Sequence, residues 1–352
     1  MKRFMCILLT ALLALFMCVP VLMAADSGTE NPPMPVPVPE APAVPDQTAW
    51  AFSKPITIVC PWGEGGGADT TLRALVAGLK DVLGVEVKIQ NVTGDNGANG
   101  VKFVNEQPAD GYTFLLGTQS FLIQEVQGTI PVKFHEAFVP VARLVNAINV
   151  IAASRKTMEE RGYSNFSELR EYIKAHPSSI SVGMLTSTGV DGLALRQALE
   201  GLNILEVSYP TGAGLTLALK EGNIDLMITG TDEIADLIAA GDITPLLALA
   251  ENRMNRYPSV ESSKELGINS VLGPERGIFA KKGTPQEAID ALGEAIAKVA
   301  ELPAWKDFLQ QGGYDERPGF APAAEYQKAI DDEFKTFTDM LKPKTAAKKA
   351  AA

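Results

Sequence analysis

The stretch Ile56-Thr57-Ile58-Val59-Cys60-Pro61-Trp62-Gly63-Glu64-Gly65-Gly66-Gly67-Ala68-Asp69 reads as a short apolar strand, a glycine-rich turn and the start of a helix. Thr70-Thr71-Leu72-Arg73-Ala74-Leu75-Val76 continues that helix, with Leu72, Leu75, Val76 and Leu79 on one face. A glycine-rich turn in this position brings backbone N–H groups up to an anion, and glycine leaves no Cβ in the way. Asp69 stands where it can cap the following helix. The stretch predicts an α/β fold and an anion site, and leaves open whether the chain is an enzyme or a receptor.

Composition narrows that choice. The formal net charge is −11, which argues against nucleic acid or anionic lipid as a partner. Any bound anion must therefore be held by local backbone dipoles. Lys2-Arg3, a largely apolar Met5–Met23 and the small pair Ala24-Ala25 form the pattern of a cleaved export signal over 1–25, so the expected location is the periplasm. An uncleaved membrane anchor or a lipid at Cys18 is the alternative. Cys6 and Cys18 lie in that segment, which leaves Cys60 alone and excludes an internal disulfide. His135 and His176 have no Cys, His or carboxylate at ligand spacing. There is no Walker-type phosphate loop, no HExxH zinc pair and no GxSxG nucleophile elbow. No cofactor, no metal and no enzymatic activity are expected.

Residues 26–50 are Pro-rich and read as an extended linker; 342–352 has no apolar face and reads as a frayed, disordered tail. Between them, strand candidates alternate with amphipathic stretches. They are Ile56–Cys60, Val85–Gln90, Thr113–Gly117, Val145–Ala152, Ile180–Met184, Ile204–Val207, Leu226–Thr229 and Pro245–Ala250. Asn165 with Glu168 marks one helix start, and Pro285–Leu302 and Ala323–Leu341 are two further helices. The alternation predicts mostly parallel sheets. A body of this size predicts two lobes, 51–146 with 275–341 and 147–274, with crossings near 145–152 and 272–278. The ligand cleft then lies between the lobes.

Five loops follow strand candidates and carry Gly, Ser or Thr: the 61–69 turn, Thr93–Gly100, Gly117–Ser120, Ser187–Gly192 and Tyr209–Gly214. None contains Lys or Arg. Each alone is weak, since such loops mostly just turn the chain.

Together they carry a resemblance. Pro61-Trp62-x-x-Gly65-Gly66-Gly67-x-Asp69 and Asp110-Gly111-Tyr112-Thr113-x-Leu115-Leu116-Gly117-Thr118 are followed by Tyr209-x-x-Gly212 and Leu219-x-x-Gly222-x-Ile224-Asp225-Leu226-Met227. Gly277-Ile278-Phe279-Ala280 and Gly283-Thr284-Pro285 close the series. Over 54–340 the chain resembles the Bug/TctC family, solute-binding proteins of tripartite tricarboxylate transporters. The resemblance implies a two-lobed periplasmic binding protein, type II-like, which closes on a small carboxylate and delivers it to membrane transporter subunits. It implies that main-chain N–H groups, hydroxyls and ordered water hold the ligand in place of an Arg clamp. By position, Trp62, Gly63, Gly66, Gly67, Thr118 and Ser120 line lobe one. Ser187, Thr188, Gly189, Tyr209 and Gly212 line lobe two, with Thr229 and Asp232 at the far rim.

Glu64 stands where the family usually has a small neutral residue, Asp191 where it has a glycine, and Leu195 where it has a histidine. Acidic groups at 64, 191 and 232 would repel a di- or tricarboxylate unless they point outward. A cleft-facing Glu64 would ask for a ligand with an ammonium group, such as an amino acid; a solvent-facing one would only solvate the loop. A receptor that reports to a signalling partner remains the other alternative, and a monomer is expected.

Overall fold

The computed structural model describes residues 50–341; the expected leader, the Pro-rich stretch to residue 49 and the tail 342–352 lie outside them. The chain runs through β1 (Ile56–Cys60), α1 (Gly67–Leu83), β2 (Val87–Asn91), α2 (Ala98–Glu106), β3 (Thr113–Gly117), α3 (Ser120–Gln127), α4 (Phe134–Ala137) and β4 (Phe138–Asn146). It continues with β5 (Asn149–Ser154), α5 (Arg155–Arg161), α6 (Phe166–Ala175), β6 (Ser181–Met184), α7 (Val190–Ala198), β7 (Leu205–Ser208) and α8 (Gly212–Glu221). β8 (Leu226–Gly230), α9 (Ala235–Ala239), β9 (Ile243–Ala248) and β10 (Glu261–Ser262) follow. Last come β11 (Glu275–Lys281), α10 (Gln286–Ala300), α11 (Pro303–Gly312), β12 (Ala321–Pro322) and α12 (Ala323–Leu341).

The strands form two six-stranded sheets, ordered β12-β4-β11-β3-β1-β2 and β10-β9-β5-β8-β6-β7. The α/β class and the two-lobed plan hold. The expectation of mostly parallel sheets does not. β1 is parallel to β2 and β3, and β6 to β7 and β8. By contrast β11 is antiparallel to β3 and β4, and β5 to β8 and β9. The pairs β1–β2, β1–β3, β6–β7 and β6–β8 are joined through crossover helices, and the short β9–β10 pair is parallel as well. β5 and β11 are the strands that enter a sheet straight from the other one, so no crossover sets their direction.

Helices cover both faces of each sheet. On the first sheet Leu72, Leu75 and Leu79 of α1 pack with Leu292, Ile296 and Val299 of α10. Its other face carries Val101 and Val104 of α2, Phe121 of α3, and Ile330 and Phe337 of α12. The second sheet is sealed by Leu169 and Ile173 of α6 with Leu195 of α7, and by Leu215 and Leu219 of α8 on the opposite face. Each such side chain contributes roughly 1.5–3 kcal/mol by leaving water. Local signals agree with these faces. Asn165 caps α6 by accepting the Glu168 N–H at 2.9 Å, and the Glu168 carboxylate returns to the Ser164 N–H at 2.7 Å.

The single strand expected over 145–152 is two strands in two sheets, broken at Ala147-Ile148. The expected crossing at 272–278 is likewise mostly strand, since β11 begins at Glu275. The two crossings touch: the Ala147 N–H donates to the Pro274 carbonyl at 2.9 Å, and Gly273 lies flat against the Ala147 carbonyl. A Cβ at 273 would overlap that oxygen. Gly273→Ala should therefore destabilise the protein by about 1–3 kcal/mol, the usual cost of overpacking, and calorimetry at neutral pH measures it.

Candidate functional site

The turn after β1 is folded from within. Asp69 sits in the first turn of α1 and is not its N-cap; Gly66 is. The Asp69 carboxylate accepts the Gly65 N–H at 2.9 Å, Asn91 Nδ2 at 3.0 Å and Arg73 Nε at 2.7 Å. Burial pushes this carboxyl up, but those donors outweigh it and hold it below the usual range. Gly65 is the residue of the turn that needs a positive φ, 79°. Trp62 stacks on Phe121 with ring centres 5.4 Å apart, and its carbonyl accepts Asn91 Nδ2 at 2.8 Å. The closest approach of another group falls on Gly67, not Gly66. A Cβ at 66 would find only ordinary contact, whereas one at 67 would stand 2.6 Å from Asp232 and 2.7 Å from Glu233.

Glu233 is the centre of this approach. Its carboxylate accepts the Thr229 hydroxyl at 2.8 Å and lies against Gly67 at the start of α1. Gly212, the first residue of α8, is so close that a Cβ there would stand 3.3 Å from Glu233 Oε2. Arg276, from β11 of the other sheet, reaches the same point. Its guanidinium donates to Asp232 at 3.0 Å and to the Tyr314 hydroxyl at 2.8 Å, with Glu233 at 3.5 Å. Tyr314 in turn donates to Asp232 at 2.7 Å. Asp232 is therefore not at a rim; its side chain is 4% exposed.

A second meeting of the two sheets involves the starts of α3 and α7. Ser120 Oγ accepts the Val190 N–H at 3.1 Å, and a Cβ on Gly189 would come 2.8 Å from that oxygen. Thr118 accepts the Ser120 N–H at 3.3 Å. Gln119 ties this turn to the crossing, donating to the Gly273 carbonyl at 2.6 Å and accepting the Glu275 N–H at 2.9 Å. Asp191, beside Val190, is buried and accepts Asn149 Nδ2 at 3.0 Å, while Asn149 Oδ1 has no partner. Thr188 accepts Asn96 Nδ2 at 3.3 Å across the seam. Beyond it a cavity of about 470 Å³ opens between the 95–102 turn, Gln124 and Thr188, with Lys102 on its wall. Gly67, Gly212 and Glu233 do not line it; the protein's own groups fill that end of the seam.

Thus Gly67, Gly212, Thr229 and Asp232 gather around Glu233, and Thr118, Ser120 and Gly189 gather with Asp191. Tyr209 is half-buried against Gly183. Gly63 has open space around it. Ser187 offers its carbonyl to Arg196 at 2.7 Å. Glu64 does not face the seam: its side chain is 78% exposed and pairs with Arg73 at 3.5 Å. The five loops bring no Lys or Arg; the cation of the seam, Arg276, comes from a strand. Its signal was a charge beside the apolar run Gly277-Ile278-Phe279-Ala280.

The balance at the seam is one guanidinium to three carboxyls. Burial pushes Asp191 up to about 7; Glu233 and Asp232 add to that, while the Asn149 donor and Arg276 oppose it. Glu233 is also raised, by burial and by Asp232, against Arg276, Thr229 and the Gly67 N–H. Arg276 is disfavoured by burial, yet Asp232, Tyr314 and Glu233 raise it further above its ordinary value.

The family model described as "Tripartite tricarboxylate transporter family receptor" matches residues 71–345. The chain belongs to this family. A curated relative, a UPF0065 protein of Bordetella pertussis, is 28% identical over 269 residues, covering 75% of this chain and 81% of that protein. MatC from Rhodopseudomonas palustris, solved with bound malate, superposes with a TM-score of 0.72 at 21% identity, covering 82% of this chain and 98% of that one. An R. palustris protein solved with adipate gives 0.74 at 23% identity, covering 82% and 96%. These structures share the fold. Among the described residues no helix is long and apolar enough to cross a membrane, and no group of His, Cys, Asp and Glu could hold a metal ion.

Two measurements check the seam. The folded chain keeps a proton on Asp191 between the usual 3.8 and about 7, where the unfolded chain has lost it. That advantage is present below 3.8 and lost as pH rises to about 7, at about 1.4 kcal/mol per unit. Asp191→Asn should raise the melting temperature at pH 8, and the gain should shrink towards pH 4. Gly67→Ala should drive a methyl into the Arg276 network and lower stability by about 1–3 kcal/mol, whereas Gly66→Ala should cost less.

Proposed function

We propose that this protein captures a small organic carboxylate in the seam between its two sheets and hands it to the membrane subunits of a tripartite tricarboxylate transporter. The observation that carries this reading is the gathering of helix starts at the seam, where a carboxylate already sits. That carboxylate, of Glu233, accepts the Thr229 hydroxyl and lies against Gly67 at the start of a 17-residue helix, with Arg276 at 3.5 Å. Such a helix start favours an anion through its free donors and dipole. The starts of α3, α7 and α8 converge on the same seam and add donors of the same kind. The malate and adipate of the related structures supply the size class of the ligand.

The leader 1–25 would be removed on export, and the protein would act as a monomer. The ligand residues are Gly67, Thr118, Ser120, Thr188, Gly189, Gly212 and Thr229, with Trp62, Gly63, Gly66 and Tyr209 shaping the walls and Ser187 next to Thr188. The lobes 51–146 with 275–341 and 147–274 would open and close about the paired crossings at 146–149 and 272–275. Closure expels water from the charge-bearing groups and strengthens each hydrogen bond to them.

The test is a thermal-shift panel of three- to six-carbon carboxylates on the purified mature protein, followed by small-angle scattering with the best binder. A ligand at a hundred times its dissociation constant should stabilise the fold by about 2.7 kcal/mol. The radius of gyration should fall on binding. No shift with any member of the panel overturns the reading, and an unchanged scattering profile at saturation overturns the closure.

A further inference from the structure

We infer that Glu233 permanently fills one carboxylate seat of the seam, so that the chain selects a ligand bearing a single carboxylate and, opposite Asp191, an ammonium group. The inference rests on the carboxylate-receptor reading above and deepens it.

Three facts fix Glu233 in its place. It accepts the hydroxyl of Thr229, on β8 of one sheet, and lies against Gly67, which follows β1 of the other. Its neighbour Asp232 is anchored by Arg276 and Tyr314. Both belong to one short turn, Thr231–Glu233, which cannot swing outward without breaking those bonds. The seat at the start of α1 is therefore taken by a tethered carboxylate, and a second carboxylate brought by a ligand would meet like charge in a dehydrated site.

What remains is rich in acceptors. Asp191 is buried and receives a single donor, Asn149 Nδ2. The other end of the same amide, Asn149 Oδ1, is fully buried and unpartnered, although buried polar atoms are normally satisfied. An ionisable carboxyl that a neighbouring cation would hold charged, beside an unpaired carbonyl, asks for a group with several N–H donors and a positive charge. An ammonium group provides both; a carboxylate provides neither. The ligand's own carboxylate has a neighbouring donor, the Val190 N–H, now satisfied by Ser120 Oγ. A ligand spanning Val190 and Asp191 thus needs one anionic and one cationic end.

Calorimetry with matched probes tests this. Succinate and 4-aminobutyrate differ by replacement of one COO− with CH2NH3+ at equal carbon count, and propionate and alanine differ by an added ammonium. In each pair the amine-bearing probe should bind at least tenfold tighter to the wild-type chain. Asp191→Asn should narrow that preference at least tenfold. Glu233→Ala, and the isosteric Glu233→Gln should the first unfold, should raise succinate affinity at least tenfold by removing the tethered charge. Succinate binding the wild type as tightly as 4-aminobutyrate, with no gain in the Glu233 variants, overturns the inference while the receptor reading stands. Failure of every carboxylate, with or without an amine, overturns both.

Discussion

The guanidinium of Arg276 is the interaction on which the seam depends. It leaves β11 in one sheet and meets Asp232 and Glu233 at the end of β8 in the other, with Tyr314 closing the group. Taking these charges out of water is costly, and their mutual attraction repays it only because the geometry is close. A buried cation among carboxyls also sets the charge of everything nearby. Without it Asp232, Glu233 and Asp191 would face one another uncompensated. With it two are tied down, and the third, Asp191, keeps its proton up to about pH 7.

That arrangement gives the glycines a specific meaning. Gly67 is required because charged side chains from both sheets press on its Cα, and Gly189 because the Ser120 hydroxyl does the same. Gly63 and Gly66 face no such pressure. A run of four glycines in one turn thus divides into Gly65, needed for its backbone angle, Gly67, needed for its lack of bulk, and two positions that tolerate substitution sterically.

Much of the fold was legible in the sequence. β1, β3 and α12 occupy their expected bounds, because short apolar runs and amphipathic periods are local signals. The direction of β5 and β11 was not legible, since it depends on which sheet a strand joins after a crossing. Of the candidate site, the loops that supply Gly67, Ser120, Gly189 and Gly212 were legible from their place after strands. Arg276, Glu233 and Asn149 were not: each lies in or beside a strand, and its role comes from a group far away in the chain. Glu64 was misleading for the converse reason. It sits within the decisive turn, yet its side chain leaves for solvent and Arg73.

The place of β11 also fixes an order of assembly. It is inserted between β3 and β4, more than a hundred residues after both, while the strands of the second sheet, β5 to β10, are contiguous in the chain. As the polypeptide emerges, the second sheet can complete itself, but the first must wait with the facing edges of β3 and β4 open at its centre. Two hydrophobic strand edges stay open during that interval, the kind of surface that invites wrong partners. The first sheet is finished only once β11 has arrived.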